Sequence, residues 1–303
     1  MRILITGSNG MLGSDLVKVL SPYEVSGLGR QPNRHEPIPY LQTDITDRKA
    51  LLKAVSSLKP AVIIHAAGDT DVDGCERNPR QTFSVNVEGT KHVAEAADSC
   101  GAVLIFISSD YVFDGTKSEP YEEEDRPNPI SVYGRSKYEA EEFLKAHSRS
   151  IWIIRSGWLF GANGINFFRS VMEKASKEKE LCVVNDQKGA PTYTKDLALG
   201  IKMLIERASR IQGFRIYHVA NGGQTTWFEA AEKVLEKMRL PIPIKAISSK
   251  ELNRPAKRPA NSALNLARIK NELGIELRRW EEAFNEFWSE TLEKEWQSVV
   301  TSR

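Results

Sequence analysis

Residues 2–13 read RILITGSNGMLG, from Arg2 to Gly13. The first five are apolar on both faces of an extended chain, the pattern of a buried parallel strand. Glycines then fall at 7, 10 and 13, a G-x-x-G-x-x-G turn, and an amphipathic stretch around 14–20 reads as a helix. In that setting the glycines let the backbone turn tightly and approach a pyrophosphate. The N–H groups at the helix start meet its charge. Taken alone, the triplet equally describes a close strand–helix turn with no ligand.

Further strands are expected at 23–28, 61–65 (AVIIH), 103–108 (VLIFIS) and 151–155 (IWIIR), with helices at 47–58, 85–99 and 131–146. Strands apolar on both faces and alternating with helices predict an α/β chain with a Rossmann-like, doubly wound parallel sheet. The second half is less regular. Helices are expected at 166–177, 194–207, 226–238 and 284–297, and strands at 181–184 and 214–219. Prolines at 241, 243, 255 and 259 mark loops. We expect an NAD(P)-binding domain over 1–160, rejoined by 194–220, and a smaller C-terminal substrate-binding domain from 161–193 and 221–303.

Of the 303 residues, 41% are apolar and 27% charged, a balance that excludes disorder. The 42 Lys and Arg are scattered among 40 Asp and Glu, so no basic face for nucleic acid is predicted. No apolar run approaches the roughly 20 residues of a membrane span. A strand beginning at Arg2 leaves no room for a signal peptide. Cys75, Cys100 and Cys182 form no CxxC pair and read as buried free thiols, which places the chain in a reducing cytoplasm. The acidic run 122–125 reads as a solvated loop. No metal-ligand cluster is legible, and no metal site is assigned.

The second strand ends near Leu28 and is followed by Gly29-Arg30. Many dinucleotide sites carry an acid there for the ribose hydroxyls of NAD. An arginine suits a 2′-phosphate, so NADPH is the expected cofactor, with NADH as the alternative. The plain alternative for Arg30 is an exposed loop side chain. Asp44 and Ile45 follow a short extended stretch and are placed at the adenine edge. Ala66, Ala67 and Gly68, with Thr70 just beyond, are small enough to let a cofactor lie on the strand ends, although small residues also simply pack. The pyrophosphate falls to Gly7, Gly10, Met11, Leu12 and Gly13.

Tyr133-Gly134-Arg135-Ser136-Lys137 is Y-x-x-x-K on an expected helix, so both side chains share one face. Reducing a ketone requires a proton for the nascent alkoxide. A tyrosine with a pKa of about 10 is a sluggish partner near neutrality, and a nearby ammonium helps it. The strand 103–108 runs into Ser108-Ser109-Asp110, which puts a hydroxyl at the same sheet edge. Ser109 is assigned to orient the substrate oxygen with Tyr133. A Tyr–Lys pair alone can be an incidental surface pair, and a lone strand-end hydroxyl a helix cap or turn former, but the glycine turn, the strand-end serine and Y-x-x-x-K in this order point to an oxidoreductase.

With these residues placed, the chain resembles the extended short-chain dehydrogenase/reductase superfamily, and within it the dTDP-4-dehydrorhamnose reductase family. The markers are TGSNGMLG from Thr6, SSDYVFDG from Ser108, DRPNP at 125–129 leading into YGRSK, RSGWLFG from Arg155, NDQKGAPT from Asn185 and RPANSAL from Arg258. The resemblance implies hydride transfer from NAD(P)H to C4 of a nucleotide-linked 4-keto-6-deoxy sugar. It implies Tyr133 as proton donor, Lys137 as its helper, and Ser109 and Asp110 against the sugar. Trp158 would stack on the sugar ring, and Arg258, Asn261 and Ser262 would lie near the nucleotide diphosphate. The same likeness admits a homodimer. Met11 stands where the family often has glutamine, and Asp69 where an aromatic or histidine is common. A second reading comes from the family's non-enzymatic branch, the NADP-binding regulatory subunit of methionine adenosyltransferase. RSGWLFG and NDQKGAPT are in their reductase-like form, which favours the enzyme. A reductase or epimerase for another nucleotide sugar is the third reading.

Overall fold

In the structure, a computed structural model that describes residues 1–34, 38–147, 150–207 and 213–301, the apolar runs pair edge to edge. Strand β1 (Arg2–Thr6) leads through the glycine turn into α1 (Met11–Val19), β2 (Glu24–Gly29) and the short β3 (Tyr40–Gln42). Next come α2 (Arg48–Leu58), β4 (Val62–His65), α3 (Val72–Arg77) and α4 (Pro79–Phe83). A wider π-type turn at Ser84–Glu88 passes into α5 (Gly89–Cys100), followed by β5 (Val103–Ser109), α6 (Val132–Ala146) and β6 (Ile151–Ser156).

The chain then leaves the sheet through β7 (Leu159–Phe160), α7 (Phe167–Ala175), β8 (Leu181–Val184), β9 (Lys188–Gly189) and β10 (Thr192–Tyr193). It comes back with α8 (Thr194–Glu206) and β11 (Arg215–His218). It ends with β12 (Thr225–Thr226), α9 (Trp227–Met238), β13 (Ile244–Ile247), α10 (Ser249–Leu252), α11 (Ala267–Leu273), α12 (Trp280–Phe287) and, after a π-type turn, α13 (Glu293–Thr301). Among the described residues no helix is long and apolar enough to cross a membrane.

Seven strands form one wholly parallel sheet in the order β11-β6-β5-β4-β1-β2-β3. The order reverses between β1 and β4, so the chain leaves these two strand ends toward opposite faces and a crevice opens above them. On one face α1 and α8 bring Leu16, Leu197 and Ile201 onto Ile3, Ile5 and Ile64. On the other, α2, α5 and α6 bring Leu51, Val93 and Leu144 onto Leu4, Ile63 and Phe106. All twelve are fully buried, and each such aliphatic or aromatic side chain contributes about 1.5–3 kcal/mol. A separate aromatic core of Phe160, Phe168, Trp280, Phe284 and Phe287 lies among α7, α9 and α12.

Polar clasps tie the late residues to the sheet half. Asp73 on α3 accepts from Arg258 Nη1 and Nη2 at 3.1 and 3.0 Å, from Arg254 Nη1 at 3.0 Å and from the Ala256 N–H at 3.2 Å. Burial alone would raise the Asp73 carboxyl, but these donors hold it down at about 2. Arg278 forks onto Asp196 of α8 at 2.8 and 3.0 Å.

Three expectations are corrected. The acidic run 122–125 is half inside rather than a solvated loop. Glu123 is buried and accepts from the His218 N–H at 3.0 Å, while Asp125 pairs with Lys117 at 2.6 Å. Of the three free cysteines only Cys75 is buried. Cys100 is half-buried, and Cys182 is exposed on β8. The expected helix at 85–99 begins earlier and in pieces, as α4, the π-type turn and α5.

Helix α6 is fixed from below by an ion pair almost wholly out of water. Arg155 of β6 and Glu141 of α6 have side chains 2% and 3% exposed. Arg155 Nη2 and Nε donate to Glu141 at 2.6 and 3.0 Å, and the Ser108 hydroxyl donates to the same carboxylate. Removing one partner strands the other charge in the interior. Glu141→Leu is expected to cost about 3–5 kcal/mol of stability. The paired change Glu141→Leu with Arg155→Met should recover much of that loss. Denaturant midpoints of the single and double variants check both statements.

Candidate active site

The crevice above β1 and β4 is a cleft of about 940 Å³ that runs from Asn9 and Arg30 at one end to Trp158 and Trp227 at the other. Its size suits a dinucleotide with part of a second molecule. The turn after β1 needs its first glycine. Gly7 has φ +71°, and a Cβ there would lie 2.7 Å from Ala67 N. Helix α1 starts with no side-chain cap and no acidic residue in its first turn. Its N-terminus is therefore open to an anion, as a pyrophosphate requires.

Every residue assigned to the cofactor lines this cleft: Gly7, Gly10, Met11, Leu12 and Gly13 from the turn, Arg30, Asp44 and Ile45 from beyond β2 and β3, Ala66, Ala67, Gly68 and Thr70 from beyond β4, and Tyr133 and Lys137. Arg30 is two-thirds exposed, with Nε 4.0 Å from Asp44. Arg34, which we did not assign from the sequence, lines the same rim. Its N–H donates to Asn9 Oδ1 at 3.2 Å, and Asn9 Nδ2 donates to Pro32 O at 2.8 Å. The turn thus holds a loop with two guanidinium groups at one end of the cleft.

Tyr133 lies in the first turn of α6, which Ser131 caps by accepting from the Gly134 N–H at 3.1 Å. The helix presses so close to the strand-end segment that a Cβ at Gly134 would sit 2.1 Å from Tyr111 O. Burial pushes the Tyr133 phenol well above its ordinary value, and its hydrogen bond with Ser109 only partly opposes this. The phenol is therefore protonated at neutral pH, the state a proton donor needs. Lys137 Nζ donates to Ile107 O at 2.9 Å and stands 4.9 Å from the Phe106 ring centre. Burial brings its ammonium down to about 8, against the support of Glu141. In this arrangement burial outweighs the ammonium's expected lowering of the phenol.

Ser109 and Asp110 also line the cleft. The Ser109 hydroxyl donates to Asp110 Oδ1 at 3.0 Å, and its oxygen accepts from the Tyr111 N–H at 3.1 Å. Burial lifts the Asp110 carboxyl to about 7, even with hydrogen bonds from Ser262 and Ser109.

Trp158 lines the cleft as assigned, but its faces are taken. Trp227 stacks on one at 3.5 Å between ring centres and 6° between planes. A Cβ at Gly189 would stand 2.4, 2.6 and 2.7 Å from Cε2, Nε1 and Cζ2, a pattern that puts this glycine over the other face. Trp158 therefore presents an edge to the cleft rather than the flat platform expected. Its Nε1 donates to Ser262 Oγ at 3.2 Å.

Arg258, Asn261 and Ser262 do not line the cleft. Arg258 is committed to Asp73, and Asn261 Nδ2 donates to the carbonyls of Lys117 and Ser118 at 2.8 and 3.2 Å. Ser262 stands behind Asp110 and Trp158. Asn86, Tyr111 and Trp227 are the further site-side residues that sequence reasoning missed. Trp227 and Asn86 read as ordinary helix positions, and neither carried a spacing that would mark it.

Comparison with known proteins agrees with this geometry. A family model described as RmlD substrate binding domain matches residues 1–293. The chain is 37% identical over 299 residues to dTDP-4-dehydrorhamnose reductase of Aggregatibacter actinomycetemcomitans, covering 93% of this chain and 96% of that protein. It is 34% identical over 291 residues to the spore coat polysaccharide biosynthesis protein SpsK of Bacillus subtilis, covering 95% and 97%. The crystal structure of dTDP-4-dehydrorhamnose reductase from Bacillus anthracis in complex with NADP matches with a TM-score of 0.85 at 33% identity, over 96% of this chain and 99% of that one. UDP-glucose 4-epimerase of Thermotoga maritima, at 19% identity and a TM-score of 0.81, shares the fold alone. A strand-end serine and a Tyr–Lys helix beside an open dinucleotide turn, matched by relatives along nearly the whole chain, make this protein a member of the dTDP-4-dehydrorhamnose reductase family of NAD(P)H-dependent oxidoreductases.

Proposed function

We propose that this protein reduces the C4 ketone of dTDP-4-dehydro-L-rhamnose with NADPH to give dTDP-L-rhamnose. The observation that carries the reading is the meeting of Tyr133, Lys137 and Ser109 in the cleft that also holds the uncapped start of α1. The bound cofactor supplies a hydride. The protein's own part is to hold the ketone and protonate its oxygen. Tyr133 gives its phenolic proton to the C4 oxygen as negative charge gathers there. Lys137 stabilises the phenolate left behind, and the Ser109 hydroxyl orients the oxygen. The first-turn amides of α1 receive the cofactor pyrophosphate, and Arg30 and Arg34 receive a 2′-phosphate. The residues from 161–193 and 221–303 form the sugar-nucleotide side, with Asp110 and the edge of Trp158 facing the sugar. Arg258, Asn261 and Ser262 shape this side from behind. Relatives named as reductases favour this reading over a non-catalytic regulatory subunit.

The direct test is NADPH oxidation against a panel of dTDP-, UDP- and GDP-linked 4-keto sugars, with turnover expected for the dTDP-linked 6-deoxy sugar. Inertness toward all of them, with tight binding of a methionine adenosyltransferase subunit, would sink the proposal.

Three variants and one pH profile refine it. Tyr133→Phe should lower kcat by about 10²–10⁴-fold while NADPH still binds. Arg30→Ala and Arg34→Ala should each raise the KM for NADPH by about three- to tenfold and leave that for NADH unchanged, since both groups are partly solvated. Equal effects on the two cofactors would rule out a phosphate contact. Lys137 assists only as an ammonium. Its help is complete below its pKa and lost as pH rises through about 8. The kcat/KM profile for reduction should therefore fall on the alkaline side near that value, and Lys137→Met should lose the limb along with most of the activity.

A further inference from the structure

Thr6, His65 and Thr90 stand in line between the dinucleotide turn and the catalytic helix, and all three are buried to within 1%. Thr6 ends β1, His65 ends β4, and Thr90 lies in the first turn of α5. Thr6 Oγ1 is 2.7 Å from His65 Nδ1, His65 Nε2 is 3.0 Å from Thr90 Oγ1, and Thr90 Oγ1 is 2.6 Å from Asn86 O. The Ala67 N–H meets Thr6 Oγ1 at 3.3 Å.

The direction of each bond follows from what the end groups can do. A carbonyl only accepts, so the single Thr90 hydroxyl proton goes to Asn86 O. The Thr90 oxygen must then receive the proton on His65 Nε2. A neutral imidazole with its proton on Nε2 can only accept at Nδ1, so the Thr6 hydroxyl donates there. The Ala67 N–H, which only donates, closes the line. Burial first, and the Lys137 charge second, push His65 down to about 3, which keeps the ring neutral.

The line continues into the site. The Asn86 carboxamide accepts from the Asp69 N–H at 2.7 Å and donates to Asp69 O at 3.0 Å and to Ser136 Oγ at 2.9 Å. Ser136 in turn donates to Tyr133 O at 2.7 Å. Ala67 and Asp69 border the cofactor cleft, and Tyr133 carries the proton.

We infer that His65 is a positioning residue, the centre of a one-way hydrogen-bond line that couples the dinucleotide turn to the brace under Tyr133. The inference rests on the reductase reading for its kinetic part alone. Only histidine can accept and donate at the two ends of a rigid ring, and a buried donor or acceptor left alone has no water to turn to. The line thereby sets the height of the Tyr133 turn from the floor of the cofactor site.

Two measurements test it. Long-range nitrogen–proton spectra of histidine-labelled protein, assigned against His65→Gln, should show His65 as the Nε2–H tautomer, with no titration between about pH 5 and 8, where an ordinary histidine changes charge. The Nδ1–H tautomer, or titration in that range, would falsify the line. Thr90→Val keeps the side-chain shape but leaves the Nε2 proton unmet. It should lower kcat by about tenfold, the factor one buried hydrogen bond commands, with the dissociation constant for NADPH within about twofold of wild type. Thr90→Ser restores the hydroxyl and should restore kcat. A Thr90→Val enzyme as fast as wild type, or a Thr90→Ser enzyme as slow as Thr90→Val, would overturn the positioning role. Wild-type protein inert toward the sugar would refute the reductase reading alone, and the nitrogen spectrum would still decide the line.

Discussion

The position of α6 depends on a charge pair that water does not reach. Taking a guanidinium and a carboxylate out of water costs several kcal/mol for each ion, and only close, forked geometry with further hydrogen bonds offsets it. Arg155 and Glu141 meet that condition, because two guanidinium nitrogens and the Ser108 hydroxyl converge on one carboxylate. Such a pair tolerates no sliding. A helix resting on apolar contacts alone can shift by a fraction of an ångström at little cost, whereas a buried fork loses its compensation at once. Lys137 lies one turn before Glu141 and Tyr133 one turn before that. The precision needed for proton transfer is thus set at Glu141 and delivered one and two turns back along the same face of the helix.

The electrostatics of the site follow from the same enclosure. Burial raises Asp110 and Tyr133 and lowers Lys137 and His65. All four shifts disfavour charge, as expected where little water reaches the groups. The interior is poised near neutrality, so charge developing on a substrate oxygen is felt strongly by the few groups around it.

The sheet, its doubly wound order and the cofactor end of the cleft were legible in the sequence because they rest on local signals. Apolar runs such as Ile3–Ile5 and Ile63–Ile64 have one physical solution, and a glycine turn between a buried strand and a helix has few. Tyr133 and Lys137 were legible because i, i+4 spacing on one helix is a local rule. The sugar end was read from family markers, and there geometry and expectation part. Trp158 does emerge at the strand end, but the stack of Trp227 comes from a helix 69 residues later in the chain, which no local pattern announces. Arg258 looked free to meet a phosphate because its partner, Asp73, lies far earlier in the chain. Glu123 looked solvated for the same reason, its donor being the backbone of His218. The line through His65 joins three elements, and each of its residues alone reads as an ordinary strand or helix position.

One feature of the topology bears on how the chain can be divided. The sheet is not finished when β6 ends, for its outer strand β11 arrives only after the chain has passed through β7 to α8. β11 lies parallel to β6 with Trp152, Ile153, Ile154 and Arg155 in register against Arg215 to His218. A fragment stopping near residue 160 would hold the glycine turn, Tyr133 and Lys137, yet leave the outer edge of β6 bare. That edge is long and apolar, with a full row of unpaired amides and carbonyls, and such edges recruit strands from other molecules. The sheet and the elements outside it are therefore interleaved along the chain, and a protease cut or gene division near residue 160 would yield aggregating pieces rather than two working modules.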